Sequence, residues 1–268
     1  MGPPQPPQPE PPPIDRPGEV LAVRDLGRIG YREAYALQES LVEAQVARRE
    51  HPSHPRAGTL LLLEHPPVIT VSRRPGAEKN ILASPDTLAR EGVTVEPTDR
   101  GGDITYHGPG QLVAYPILDL NLLNLGLHEY VRLLEEAIIR TCADLGLPTL
   151  RDPSATGVWT RDPEDPGLPY AKVAAIGVRV RRWVTMHGLA LNVATDLRHF
   201  QFIIPCGLVN RPVTSLAVEL SRSPPEMPRV KSLLASHLTA LVSEALASAQ
   251  ARRDARAPKE QGPERSGP

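Results

Sequence analysis

Residues 172–193 read KVAAIGVRVRRWVTMHGLALNV, and this stretch decides the architecture. Two aliphatic, β-branched runs, 172–180 and 183–193, are separated only by Arg181 and Arg182, which is the spacing of a β-hairpin. Gly188, inside the second run, marks a bulge or a close backbone approach. An antiparallel pair in the middle of the chain needs partners. TLLLLEH (59–65), VITVS (68–72), VTVEP (93–97) and QLVAYPILDL (111–120) supply four more short apolar runs of strand character. Helical spacing appears at 29–49, with Tyr31, Ala34, Tyr35, Leu41 and Val42 on one face, and ends in the proline-broken HPSHPRAG. A second helix over 128–145 carries Val131, Leu134, Ile138, Cys142 and Leu145 on one stripe, and a last one uses Val230, Leu233, Leu234, His237 and Leu241. The order lacks a strict βαβ rhythm. The expected class is α+β, a mixed and largely antiparallel sheet with helices packed on it.

The ends differ from the middle. Residues 1–17 are too proline-rich to pack, and 249–268 are charged and proline-punctuated, so both are expected to be disordered around one folded body at 18–248. A formal charge of −1 gives no reason to expect a nucleic-acid partner. No apolar export segment opens the chain, and two cysteines without CxxC spacing fit a reduced, cytoplasmic protein with no membrane association.

Three stretches have the composition of a site. RGGDITYHGPGQ (100–111) interleaves glycines with Arg100, Thr105, Tyr106 and His107. Glycines let backbone amides approach a ligand, yet the spacing is neither GxGxxG nor a Walker sequence. Lys172 opens an otherwise apolar strand, and His187 precedes Gly188. FIIPCGL (202–208) holds Cys206 between a proline and a glycine. Cys142 is accounted for by its helix stripe, whereas Cys206 sits at a turn where packing gives no reason for a thiol. The pair His51/His54 lies in a loop without metal-ligand partners, so no metal is expected.

Taken in order, RGGDITYHGPGQLVAYPILDL, AKVAAIGVRVRRWVTMHGLALNV and FIIPCGL resemble the lipoyl(octanoyl) transferase family, which moves an octanoyl group from acyl carrier protein to a lysine of a lipoyl domain. The resemblance runs from about residue 20 to about 245 and departs at RDPSATGVWTRDPEDPGLPYA (151–171), where an acidic, proline-rich stretch lengthens the approach to Lys172. It implies the fold of the biotin/lipoate protein ligase catalytic domain over 18–248. It implies Cys206 as nucleophile and Lys172 as its partner, with His187 as an auxiliary. Arg100, Gly101, Gly102, Asp103, Ile104, Thr105, Tyr106 and His107, together with Ala175, Ile176, Gly177, Gly188, Leu189 and Ala190, would line the acyl site. The family's chemistry implies no ATP and no metal. Its partners would be octanoyl-acyl carrier protein and the lipoyl domains of 2-oxoacid dehydrogenase E2 subunits and of the glycine cleavage H protein. Nothing demands more than a monomer.

The implied chemistry has a physical basis. A free thiol titrates near ~8.5, so little is thiolate at pH 7. An ammonium about 4 Å away favours the thiolate by up to roughly 4 kcal/mol at an effective dielectric of ~20. Lys172, once neutral, is the candidate base for the acceptor amine, with His107 or His187 as alternatives. Residues 171–182 carry Lys172, Arg179, Arg181 and Arg182 with no carboxylate, and Arg73 and Arg74 adjoin as a pair, which predicts a basic docking face for an acidic carrier protein.

Overall fold

A computed structural model describes residues 19–50, 56–162, 164–165, 167–204, 211–220 and 224–256. In chain order the first half holds β1 (Leu21–Arg28), α1 (Tyr31–Ala47), β2 (Gly58–Glu64), β3 (Val68–Val71), α2 (Pro85–Arg90), β4 (Thr94–Pro97), β5 (Ile104–His107) and β6 (Gln111–Leu118). The second half holds α3 (Leu120–Leu123), α4 (Leu127–Asp144), β7 (Thr149–Arg151), β8 (Val158–Arg161), β9 (Pro169–Arg181), β10 (Val184–Asn192), α5 (Leu216–Glu219) and α6 (Met227–Arg256).

The strands form a seven-stranded sheet, ordered β1-β2-β6-β10-β9-β8-β7, and a three-stranded sheet, β4-β3-β5. Among the described strands only the β1/β2 and β3/β4 pairs are parallel. The class is therefore α+β with a largely antiparallel sheet, as the sequence predicts. The large sheet buries both faces, and that is why β2, β6 and β10 read as continuous apolar runs. On one face α4 and α6 bury Leu134, Ile138, Leu234 and Leu238 against Leu60, Leu112, Leu189 and Leu191. On the other face α1 brings Ala34 and Val42 to Leu61, Val113, Ile117 and Met186. The small sheet has its own core of Ile69, Ile104 and Tyr106.

The hairpin joins β9 to β10 one residue later than the RR spacing predicts. Arg181 pairs with Val184, leaving Arg182 and Trp183 as the two turn residues. Both have positive φ, 51° and 62°, the left-handed twist that suits a two-residue hairpin. The turn is pinned from outside: Arg49 Nη2 donates to the Arg182 carbonyl at 2.9 Å and Leu120 N to that of Trp183 at 2.8 Å.

The predicted boundary at 248 is corrected at the C-terminal side. α6 continues to Arg256, so the first eight residues expected to be unstructured are helical. The reason lies in AQARRDAR, which is rich in helix formers and free of proline, with Gln250 donating to Asp254 one turn on. Residues 1–18 and 257–268 lie outside the described residues. α6 has the length and composition to cross a membrane, yet its apolar residues Val230, Leu234, Leu238 and Val242 are fully buried against the protein core.

Cys142 is fully buried on α4, and burial pushes its thiol up to about 12. It is an inert core residue. Cys142→Ser is expected to cost about 1–3 kcal/mol by burying a hydroxyl, read as a lower urea midpoint, with unchanged turnover per folded molecule.

Candidate active site

Between β5, β9 and β10 lies a pocket of ≈ 470 Å³, a volume that includes the open space at its mouth. Its lining includes Arg100, Gly102, Thr105 and His107 from the glycine-rich stretch, Ala175, Ile176 and Gly177 from β9, and His187, Gly188, Leu189 and Ala190 from β10. Strand alternation sorts the remaining candidates. Thr105 and His107 face the pocket, while Ile104 and Tyr106 turn into the small-sheet core. Gly101 donates to the Val178 carbonyl at 2.9 Å and fastens the loop to β9. Asp103 accepts from Asn80 at 3.0 Å instead of lining the pocket.

Gly188 pairs with Gly177 across the hairpin. A Cβ at 188 would lie 2.2 Å from the Ala114 carbonyl oxygen, so only glycine lets β6 and β10 meet here. The preceding residue compensates. His187 has a φ of 58°, and this left-handed kink breaks the alternation of β10. Its ring consequently lies on the α1 side, 5.7 Å from the Tyr35 ring and 6.2 Å from that of Tyr115.

The histidines are held in defined protonation states. His187 Nε2 donates to Asp99 Oδ1 at 2.9 Å, and Tyr35 OH donates to Oδ2 at 2.8 Å, with Arg179 closing on the same oxygen. Burial would raise the Asp99 carboxyl, but these donors outweigh it and hold it below the usual range. For His187, burial outweighs the Asp99 attraction and lowers the imidazole pKa, so Nδ1 is left as an acceptor. His107 Nδ1 donates to Gln111 Oε1 at 2.7 Å; Gln111 Nε2 donates to Asn192 Oδ1 at 2.9 Å, and Asn192 Nδ2 to the Thr214 carbonyl at 2.9 Å. Burial, with His65 nearby, lowers His107 to about 3. A base that weak is poorly matched to an ammonium near pH 7. His65, also fully buried, is lowered by burial to about 4, with Nδ1 donating to the Ile29 carbonyl and Nε2 accepting from Tyr115 OH, both at 2.8 Å.

Lys172 lies three residues before Ala175 on β9, roughly 10 Å along the strand. Its side chain is buried; Nζ donates to the Thr156 carbonyl at 3.1 Å and lies 4.7 Å from the Trp159 ring centroid. Arg211 lies 4.6 Å from the same ring and pairs with Asp152. The Lys172 backbone is fixed from both sides, its N–H donating to the Pro212 carbonyl at 2.9 Å and its C=O accepting from Thr214 N at 3.0 Å. Cys206 lies outside the described residues. The chain before it is held by Ile204 N donating to the Asn80 carbonyl at 2.8 Å.

The predicted basic face is partly neutralised. Arg179 and Arg73 (3.9 Å) pair with Asp99, Arg74 lies 3.8 Å from Asp103, and Arg181 and Arg182 share Glu43. In these pairs five guanidinium groups face three carboxylates. Among the described residues no group of three or more His, Cys, Asp or Glu is gathered as a metal site. Tyr31 and Tyr115 also line the pocket. Both read as ordinary core residues in the sequence, and only tertiary contact reveals them.

A seven-stranded sheet carrying a largely apolar pocket on its central hairpin belongs to a known class. The lipoyl protein ligase A/B catalytic domain matches residues 30–239, and the chain belongs to that family. Among its relatives, the octanoyltransferase of Acidobacterium capsulatum is 51% identical over 214 residues, 76% of this chain and 82% of that protein. The octanoyltransferase of Christiangramia forsetii is 45% identical over 227 residues, covering 82% and 95%. The chain is accordingly an acyltransferase of the octanoyltransferase kind. The fold is shared with the bipartite lipoate protein ligase of Thermoplasma acidophilum, at a TM-score of 0.58 and 15% identity over 88% of this chain and 93% of that one. A lipoate-protein ligase A bound with ATP matches equally, at 0.58 and 16% over 88% and 94%.

The neutral buried histidines make stability fall with acid. His65 has a folded pKa near 4 against 6.5 unfolded, so between these values the unfolded chain binds more protons and stability rises with pH. From pH 7 to 5 this one group should cost about 2 kcal/mol. Urea midpoints across that range measure it, and His65→Gln should remove this one share of the dependence while that of His107 remains.

Proposed function

We propose that the protein transfers an octanoyl group from octanoyl-acyl carrier protein to a lysine of apo lipoyl domains, through a thioester on Cys206. The observation that carries this reading is the placement of Lys172 and the apolar pocket on one strand. The backbone of Lys172 is bonded to Pro212 and Thr214, a few residues beyond Cys206.

In this reading the Cys206 thiolate attacks the thioester carbonyl of the donor. The carrier's phosphopantetheine leaves as a thiolate and takes its proton from the Lys172 ammonium, which becomes neutral, and the octanoyl group is held as a new thioester. The acceptor lysine then attacks that thioester, gives up a proton to neutral Lys172, and returns the Cys206 thiolate. Thioester exchange is nearly isoenergetic and amide formation runs downhill, so the reaction needs no ATP and no metal. The low pKa of His107 makes Lys172 the better base of the two. His187, whose Nδ1 stays an acceptor, serves as an auxiliary that receives a hydrogen bond from bound substrate.

Chain length follows from burial. Ala175, Ile176, Leu189 and Ala190 offer an apolar lining. At ~0.8 kcal/mol per methylene, an octanoyl tail gains about 5 kcal/mol there, and each missing CH₂ weakens binding roughly fourfold. The residual basic excess around Arg73, Arg74 and Arg179–Arg182 supports docking of an acidic carrier protein, so KM for the donor should rise with salt. The acceptors would be lipoyl domains of E2 subunits and the glycine cleavage H protein, met in the cytoplasm by a monomeric enzyme.

Intact-mass measurement after mixing with octanoyl-carrier protein tests the reading. Wild type should gain one octanoyl group without ATP, and Cys206→Ser should gain none. An adduct that persists in Cys206→Ser, or forms only with ATP and free octanoate, overturns it. Lys172→Ala should move the midpoint of Cys206 alkylation against pH upward by about one unit.

A further inference from the structure

We propose that Glu135 on α4 is a positioning residue for Lys172, acting through the single peptide unit between Thr156 and Gly157. The inference rests on the role proposed for Lys172 in acyl transfer.

Glu135 is fully buried on a helix whose other buried residues include Leu134, Ala137 and Ile138. A carboxylate in such a place needs strong partners. Its two oxygens are divided between two tasks. Oε2 accepts from Arg132 Nη1 at 2.6 Å and lies 3.3 Å from Arg151 Nε, which is not aligned for a hydrogen bond. Oε1 faces the other way and accepts the Gly157 N–H at 3.2 Å. The arginines account for the charge; they do not account for the second contact.

That second contact reaches the lysine. The Gly157 N–H and the Thr156 C=O belong to one planar peptide, and the carbonyl accepts Lys172 Nζ at 3.1 Å. The peptide dipole therefore has its positive end on the carboxylate and its negative end on the ammonium. Rotating the plane would break both contacts together. Gly157 makes this orientation available: its φ is 129°, and a Cβ there would lie 2.6 Å from the Ala174 carbonyl oxygen and 3.3 Å from Lys172 Cε. Glu135 thus aims the Thr156 carbonyl, and the carbonyl holds the ammonium on the inner side of β9.

The test uses the full chain and the rate of thiol alkylation against pH, with Cys142 silent because it is buried. Glu135→Gln has nearly the same shape but one acceptor oxygen where the carboxylate has two. The arginines compete for that oxygen, so the Gly157 N–H is left facing an amide donor. The alkylation midpoint should rise by about half a unit, in the direction of Lys172→Ala. The rate of octanoyl adduct formation at pH 7 should fall about threefold with the thiolate fraction. Arg132→Ala is the control for a merely structural role: it should lower the melting temperature while leaving the midpoint in place. Glu135→Asp keeps the charge but withdraws the oxygen from Gly157; it should move the midpoint the same way and serves if Glu135→Gln does not fold. A midpoint moved by Lys172→Ala but unmoved in both Glu135 variants overturns this inference alone. A midpoint unmoved by Lys172→Ala removes the lysine's role first, and this inference with it.

Discussion

The contact between the Gly188 backbone and the Ala114 carbonyl is the constraint on which the site depends. It lets β6 and β10 approach without a side chain between them, next to the point where the hairpin register pairs Gly188 with Gly177. Two facing glycines leave a gap in the sheet surface. The Arg100–His107 segment covers that gap, and Gly101 ties it down on Val178. A larger residue at 188 would act on the pocket floor, on the approach of two central strands, and on the kink at His187 all at once. Pocket shape and strand packing are thus set by the same contact, seen from two sides.

Around that floor the protein places its charges in an ordered way. Asp99 gathers Tyr35, His187, Arg179 and, at longer range, Arg73. On the far side Trp159 carries both Lys172 and Arg211 close to its ring, a cation–π arrangement in which Asp152 pairs with the arginine. Asp99 binds Arg179 toward β10, and the Thr156 carbonyl binds Lys172 toward β8.

Much of this was legible in the sequence, and the reasons are local. The hairpin announced itself by two apolar runs and a two-residue gap, and α4 by its three-and-four spacing. The glycine-rich stretch carried Arg100, Gly102, Thr105 and His107 to the pocket because short-range turn chemistry and alternation put them there. What escaped was set by distant partners. β1 has too many charges to look like a strand, and it is one only because β2 pairs with it. β5 and β8 are as short as β3 and β4, but they lie inside glycine- and proline-rich stretches whose turn residues mask them. Asp99 and His187 are 88 positions apart, so their pairing has no local signature. Glu135 is a polar break in an apolar stripe, a visible anomaly whose meaning depends on Gly157. Gln38 is similar: on α1 it is fully buried because its oxygen caps the N–H of kinked His187 at 2.7 Å.

The turn at Arg182 and Trp183 has a practical implication. Both residues adopt a backbone shape that asparagine and glycine take with less steric penalty, and Trp183 is half exposed. The pocket's two strands are thus joined by a link that is more strained than it needs to be, and the outside bonds to Arg49 and Leu120 use only main-chain oxygens. An engineer seeking a hardier enzyme has a place to work at the far end of the hairpin, where the gain comes from relaxing the chain and the pocket end is left untouched.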